Sequence, residues 1–193
     1  MSVLVSYPND WIGVPEFGLG EVFATPDAWS RALTDELIGV TGQRLARKAK
    51  KALIATLRLV GSDVPERGAQ SCYVYLETLN GPVHIVDVRL VPRGEVGDAT
   101  ATDVAGATEP DASGQPTVTD IVTESGLTGV LCVRHAPLDA DAEHVVTLRA
   151  SYAFEIEGGF FLMWTATTDL AGFERFRPRF AELAASVSVV DPG

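Results

Sequence analysis

Residues 71–91 read SCYVYLETLNGPVHIVDVRLV, and this stretch decides the fold. Over residues 72–76, apolar residues alternate with tyrosines, which is the two-residue period of a β-strand. Asn80-Gly81 is a dipeptide that tight hairpin turns favour, although Pro82 directly after it makes this loop unusual. Residues 83–91 then return as a second strand. The stretch therefore predicts a β-hairpin near the middle of the chain.

Two helices are predicted before this hairpin. The first begins at Thr25-Pro26-Asp27, because threonine caps helices, proline suits the first helical position and aspartate suits the positive end of the helix dipole. The helical spacing of apolar residues breaks near residues 39–42, which include two glycines. A second amphipathic helix is predicted over residues 43–60, and Gly61 ends it.

Further strands are predicted after the hairpin, and one helix closes the chain. The strand patterns lie at residues 118–124, 128–135, 144–156 and 160–167. The last helix has an apolar stripe of Phe173, Phe176, Phe180 and Leu183. Because Pro178 is awkward inside a helix, we expect this helix to start near Arg177 and residues 170–176 to form a separate turn.

This order of elements predicts an α+β protein with an antiparallel sheet of about six to seven strands flanked by helices. With 193 residues, we expect a single domain over residues 1–193. Residues 94–116 interrupt the pattern with glycine, proline and small polar residues. No basic residue lies between Arg93 and Arg134, whereas seven acidic residues do. We expect residues 94–116 to form a mobile acidic insertion within the domain.

The charge balance and the cysteines narrow the function classes. The chain has 26 acidic and 15 basic residues, a net charge of −11, which disfavours binding of nucleic acid over the whole surface. The N-terminus resembles no signal peptide, and no apolar run is long enough to span a membrane. Cys72 and Cys132 both lie in strand-like runs. These observations predict a cytoplasmic protein with two reduced, buried thiols.

Catalytic chemistry has little support in the sequence. Cys132 and His135 are three residues apart, so on one strand they point to opposite faces. Cys72 could still meet His84 or His135 across the sheet, but we favour core cysteines and partly exposed histidines. Neither a Gly-x-Ser-x-Gly elbow nor a glycine-rich nucleotide loop occurs. We expect no enzymatic activity and no cofactor.

One cluster offers oxygen and nitrogen atoms of the kind that bind metals. It consists of His135, Asp139, Asp141, Glu143 and His144. Its spacing matches no zinc motif and no calcium loop. A solvated acidic loop is the favoured interpretation, and no metal site is predicted.

The second helix carries an unusual concentration of basic residues. Seven of the fifteen lysines and arginines lie between Arg31 and Arg58. On a helical wheel, one side of residues 43–60 holds Arg44, Arg47, Lys48, Lys51 and Arg58. We call these five residues the basic face. One interpretation is a solvated face, paired with the acidic insertion of the same chain; the other is a docking surface for an acidic partner or an anionic membrane.

Another basic cluster lies near the C-terminus. Arg175, Arg177 and Arg179 alternate with the phenylalanines of the last helix, a pattern that can bind single-stranded nucleic acid by stacking. Because the phenylalanines recur at helical spacing, we expect them to lie in the core instead.

Both ends of the chain resemble the PsbP-like superfamily. The first 12 residues contain Tyr7-Pro8-x-x-Trp11, and the last 40 contain the aromatic strand 160–165 followed by Phe173-x-x-Phe176-x-Pro178-x-Phe180 and Ser186. The resemblance implies an α/β/α sandwich and an adaptor, accessory, chaperone or immunity-type role, with no catalytic motif to transfer. The missing secretion signal and the long acidic insertion depart from the family's lipoproteins and indicate a bacterial cytoplasmic member.

The sequence thus favours a non-enzymatic cytoplasmic accessory module that binds a protein partner through a sheet edge or the basic face. The alternative is a carrier of a small molecule or lipid, with an aromatic pocket lined by Trp11, Trp29, Trp164 and phenylalanines. A third hypothesis is an enzyme that uses Cys132 or Cys72 with a histidine.

Overall fold

The protein is described from a computed structural model, which covers residues 2–138 and 145–190. Its strands, in chain order, are β1 (Ser2–Val5), β2 (Trp11–Gly13), β3 (Ser71–Leu76), β4 (Val83–Pro92), β5 (Thr117–Val122), β6 (Thr128–Pro137), β7 (Val146–Ile156), β8 (Gly159–Thr167) and β9 (Val187–Val190). The helices are α1 (Pro26–Thr41), α2 (Arg47–Asp63), α3 (Arg93–Val96), α4 (Ala101–Val104) and α5 (Leu170–Ala185).

The fold is α+β, as predicted. Seven strands form one antiparallel sheet in the order β2-β3-β4-β8-β7-β6-β5, and β1 pairs with β9 in a separate two-stranded sheet. The predicted hairpin is confirmed as β3 and β4, and its loop is closed by the Gly81 amide, which donates to the Thr78 carbonyl at 3.0 Å. The strand count therefore matches the upper end of the prediction.

The chain divides into two compact units, residues 9–87 and residues 1–8 with 88–193. In the first unit, α1 and α2 bury one side in a core that includes Trp29, Leu53, Leu57 and Val74. Thr25 caps α1 as predicted, because its hydroxyl accepts from the Ala28 amide at 3.2 Å. The expectation of one domain over residues 1–193 stays a prediction.

In the second unit, helix α5 buries the predicted phenylalanine stripe. Phe173, Phe176 and Phe180 are all buried, and the rings of Phe176 and Phe180 stack at 5.9 Å. The predicted start near Arg177 is wrong, because α5 runs unbroken over Leu170–Ala185 with Pro178 inside it. The Asp169 side chain caps the helix by accepting from the Gly172 amide at 2.8 Å. Burial of the first two phenylalanines offsets the roughly 3 kcal/mol that an internal proline costs.

The acidic segment 94–116 contains more structure than the predicted loop. Helices α3 and α4 lie at its start, and Thr100 and Asp103 form a capping box on α4. Ala105 packs in a small core with Val130, Cys132 and Ala153. Small apolar residues of and after α4 supply this contact, although polar residues, glycine and proline predominate in the segment. Mobility of the segment stays a prediction.

Candidate functional site

The basic face is centred on the start of helix α2. The structure corrects the predicted helix bounds: Gly42 ends α1 in a left-handed conformation, α2 begins only at Arg47, and α2 continues past Gly61 to Asp63. Arg44 therefore precedes the helix, whereas Arg47, Lys48 and Lys51 lie in its first two turns. The side chains of these four residues are exposed.

The other basic residues nearby form ion pairs, and this distinguishes them from the four exposed cations. Arg58 lies 3.9 Å from Asp27, which also binds Arg31 at 2.8 Å. Lys50 binds Asp35, so it links α2 to α1. Among the described residues, by contrast, none of the four cations forms an ion pair or a side-chain hydrogen bond. The basic face thus has an open part, Arg44, Arg47, Lys48 and Lys51, and an occupied member, Arg58.

The open part of the basic face sits where positive charge is unfavourable. The helix macrodipole places partial positive charge at a helix start, so cations there cost about 0.3–1 kcal/mol each. The N-cap residue of α2 is Ala46, which makes no side-chain hydrogen bond, and the first turn holds no acidic residue. An anion at this helix start would be stabilised by both the side chains and the unsatisfied amides.

One carboxylate of the acidic segment, that of Asp111, pairs with arginines outside the basic face. The Asp111 carboxylate binds Arg134 and lies 3.1 Å from Arg149. The Ser113 amide donates to the His135 carbonyl at 2.7 Å. The charge of Asp111 is therefore neutralised by Arg134 and Arg149 and not by the open part of the basic face.

A buried ion pair, absent from the sequence predictions, lies between α2 and the hairpin. Arg67 binds both carboxylate oxygens of Asp87, at 2.7 and 2.9 Å. The same guanidinium is 3.6 Å from the Cys72 sulfur and 3.4 Å from the Val60 carbonyl. The sequence signal is Asp87 between the valines 86 and 88 of β4, but its partner lies on a turn 20 residues away. This pair fixes the turn after α2 to β4.

The cysteines lie in unreactive surroundings. Burial, and then the charge of Asp87, raises the pKa of the Cys72 thiol, and Arg67 offsets only part of this rise. Burial also raises the pKa of Cys132. Cys132 is buried whereas His135 is exposed, as expected for two residues on opposite faces of β6. Both thiols are therefore held neutral, which is unfavourable for nucleophilic attack.

The candidate metal-binding cluster lies mostly outside the described residues. Within the described ranges, no group of three or more metal-ligating side chains occurs. Asp139, Asp141, Glu143 and His144 of the acidic cluster lie outside those ranges.

The arginines between the phenylalanines of α5 are exposed, and two of them pair with glutamates on the same helix, Arg177 with Glu174 and Arg179 with Glu182.

Two of the three tryptophans of the predicted aromatic pocket pack against other rings in the protein interior. Trp11 and Trp29 are both buried. The Trp29 ring meets the Phe17 ring edge to face at 5.9 Å, and the Trp11 ring lies 5.5 Å from that of Tyr75. Trp164 is half-buried and lies in the other unit. None of the three lines the cleft of about 650 Å³ beside the end of α2.

Comparison with solved structures shows a weak likeness in fold. No protein-family model matches the chain, and no curated protein matches it. The fold is similar to the crystal structure of LpqN, described as involved in cell envelope biogenesis of Mycobacterium tuberculosis, with a TM-score of 0.49 and 10% identity. The match covers 98% of this chain and 84% of that one. A likeness at this level carries no functional argument, and the PsbP-like resemblance stays a prediction.

No helix in the described parts of the chain combines the length and apolar character needed to cross a membrane.

Proposed function

We propose that this chain is a non-enzymatic accessory module that binds the acidic surface of a protein partner through the open part of its basic face. The observation that carries the proposal is the group of four exposed cations at the start of α2, which have no ion-pair partner among the described residues. The chain's other cations are mostly paired, although the protein has an excess of acid.

An acidic partner would remove an unfavourable feature of the free protein. Four cations without an ion-pair partner among the described residues lie within residues 44–51, beside the positive end of a helix dipole and without a capping side chain. Carboxylates of a partner would neutralise the side chains and accept from the amides of the first turn. Electrostatic complementarity of this kind contributes to association rate and specificity.

A protein surface suits this site better than a nucleic acid or a membrane. A net charge of −11 repels an extended polyanion from the rest of the molecule, whereas a partner with a local acidic patch meets only the basic face. Membrane-surface helices also insert an apolar face, but the apolar side of α2 is buried, with Leu53, Leu57 and Val60 at 5% exposure or less. The helix has no second apolar face for lipid.

The surroundings of the two thiols support a module that is non-enzymatic and acts in a reducing compartment. Both cysteines are free and buried, and burial keeps them neutral rather than nucleophilic. Free thiols of this kind are typical of a reducing compartment, so we propose that the module acts in the cytoplasm.

The test compares two triple variants of equal charge change. In the first, Arg47, Lys48 and Lys51 become glutamate; in the second, the matched control, Arg175, Arg177 and Arg179 of α5 become glutamate. The wild-type protein is used to capture partners from native extract at low salt, and the captured protein is then purified. We expect the first variant to lose this protein and the control to keep it.

A charge swap identifies the surface directly. Lysines introduced into the acidic patch of the captured protein should restore binding to the first variant and weaken binding to the wild type. If the first variant binds the same partner with unchanged affinity and salt dependence, the basic face is not the docking surface.

A further inference from the structure

The unit formed by residues 9–87 contains an open cleft at the far end of α2 from the basic face. Its walls are the loop after β2, the last turn of α2 and the turn that leads into β3. The cleft has a volume of about 650 Å³. Pockets that bind small molecules have volumes of about 300–1,000 Å³, so this cleft is large enough for one organic ligand.

The walls are mostly apolar and conformationally stiff. Pro15, Pro26 and Pro65 line the cleft together with Phe17, whose ring rests against Trp29 at 5.9 Å. Proline fixes its own backbone angle, so three prolines hold these walls without a large loss of freedom on binding. The cleft is therefore formed before any ligand arrives.

A glycine on α2 lets two rings that line the cleft pack close to the helix. A Cβ atom at Gly61 would lie 3.1 Å from Cζ of Phe17 and 3.3 Å from Cβ of Pro26. A Cβ atom at this position would have to displace both rings by a few tenths of an ångström. The Phe17 ring therefore packs on helix backbone at the last turn of α2.

The charge in the cleft has one sign. Glu16 is the only acidic residue that lines it, and no basic residue does so among the described residues. Arg67, on the turn that forms one wall, directs its guanidinium to Asp87 instead. The other polar side chains are those of Ser62, Gln70 and Ser71.

We infer that this cleft binds a small organic cation, with an apolar, ring-sized body between Phe17 and the prolines and an ammonium group at Glu16. A carboxylate at the rim attracts such a group, and the acidic net charge of the chain favours its approach. An anion of the same size meets repulsion from Glu16 and finds no cation in the walls. The inference is independent of the partner site, because no residue of the basic face lines the cleft.

The experiment uses three probes that share one ring: naphthylmethyl-trimethylammonium, naphthalenemethanol and naphthalenesulfonate. Each is titrated into the ¹⁵N-labelled full chain, and amide shifts locate the site and give the dissociation constant. We expect shifts at residues 14–17, 61–62 and 69–72, and binding of the cation about two- to fivefold tighter than of the neutral probe. The anion should bind weakest.

Two variants that remove one negative charge each test the role of Glu16. Glu16→Gln should bring the cation's affinity down to that of the neutral probe and leave the neutral probe unchanged. Glu66→Gln is the matched control, because Glu66 is exposed on the adjacent turn and does not line the cleft. It should keep the preference for the cation.

Filling the cleft tests its location. Ala69→Phe places a ring in the cleft and should weaken both the cationic and the neutral probe by about tenfold or more, with an unchanged thermal midpoint as the check on folding. If that variant is destabilised, Ser62→Phe at the exposed rim serves the same purpose. Shifts confined to other residues, equal binding of the three probes, or a cation preference that survives Glu16→Gln would each overturn the inference.

Discussion

Replacement of Arg47 and Lys48 by glutamate turns the first two positions of α2 from cationic to anionic. Each wild-type cation opposes the helix dipole, and Arg47 also stands one turn before Lys51, a like-charged neighbour at i,i+4 spacing. In the double variant both dipole interactions become favourable. Glutamates at 47 and 48 also lie at favourable i,i+4 and i,i+3 spacing from Lys51.

The expected gain follows from these contacts. Taking the lower end of the dipole range because the side chains are exposed, and adding two helix-surface pairs, the double variant should be more stable by about 2 kcal/mol at low salt. Screening should reduce the gain to less than half at about 1 M salt. The same variant should bind the acidic partner much more weakly, so stability and binding move in opposite directions.

Urea denaturation followed by circular dichroism measures the change in the free energy of unfolding. Arg175→Glu with Arg177→Glu makes the same change of charge in the middle of α5, away from any helix start, and should give no gain. A double variant less stable than wild type at low salt would refute the reasoning, since it would mean that the cations at the start of α2 already stabilise the fold.

Three further predictions concern the buried charges. Arg67→Ala leaves Asp87, whose side chain is 5% exposed, without its cation and should lower the free energy of unfolding by about 3–5 kcal/mol. Adding Asp87→Asn should recover part of this loss. If urea titrations show no recovery, the stability change does not come from the unpaired carboxylate. Asp111→Ala leaves the buried Arg134 without its carboxylate and should lower the free energy of unfolding by about 1–3 kcal/mol. An unchanged urea midpoint would show that Asp111 does not stabilise the acidic segment 94–116. Burial raises the pKa of Cys72, so above about pH 9 the thiol ionises in the unfolded chain first and stability should fall as the pH rises. Cys72→Ala should show a smaller fall over that pH range, and parallel stability profiles would contradict this cause.

The local parts of the fold could be predicted from the sequence. The alternation in residues 71–76 and the turn at Asn80-Gly81 identify β3 and β4, because strand period and turn chemistry act over a few residues. The start of α5 was missed because the local penalty of Pro178 is outweighed by tertiary burial of Phe173, which the sequence does not show.

The candidate site was predicted in part. The cluster of basic residues is visible in the sequence, but a helical wheel assumes one continuous helix, and α2 begins three residues after Arg44. Arg58 was grouped with the open cations, although it lies beside Asp27 on α1, a partner that only the packing of the two helices brings close. The pair between Arg67 and Asp87 was invisible for the same reason, because a turn and a strand bring its members together.

The dissociation constant for the captured partner, measured by calorimetry over a range of salt concentrations, tests the central claim most directly. We predict that wild-type binding weakens steeply as salt rises and that the variant with glutamate at positions 47, 48 and 51 binds more than about a hundredfold more weakly at low salt. The α5 control should match the wild type. Equal dissociation constants and equal salt dependence for the wild type and the first variant would contradict the account.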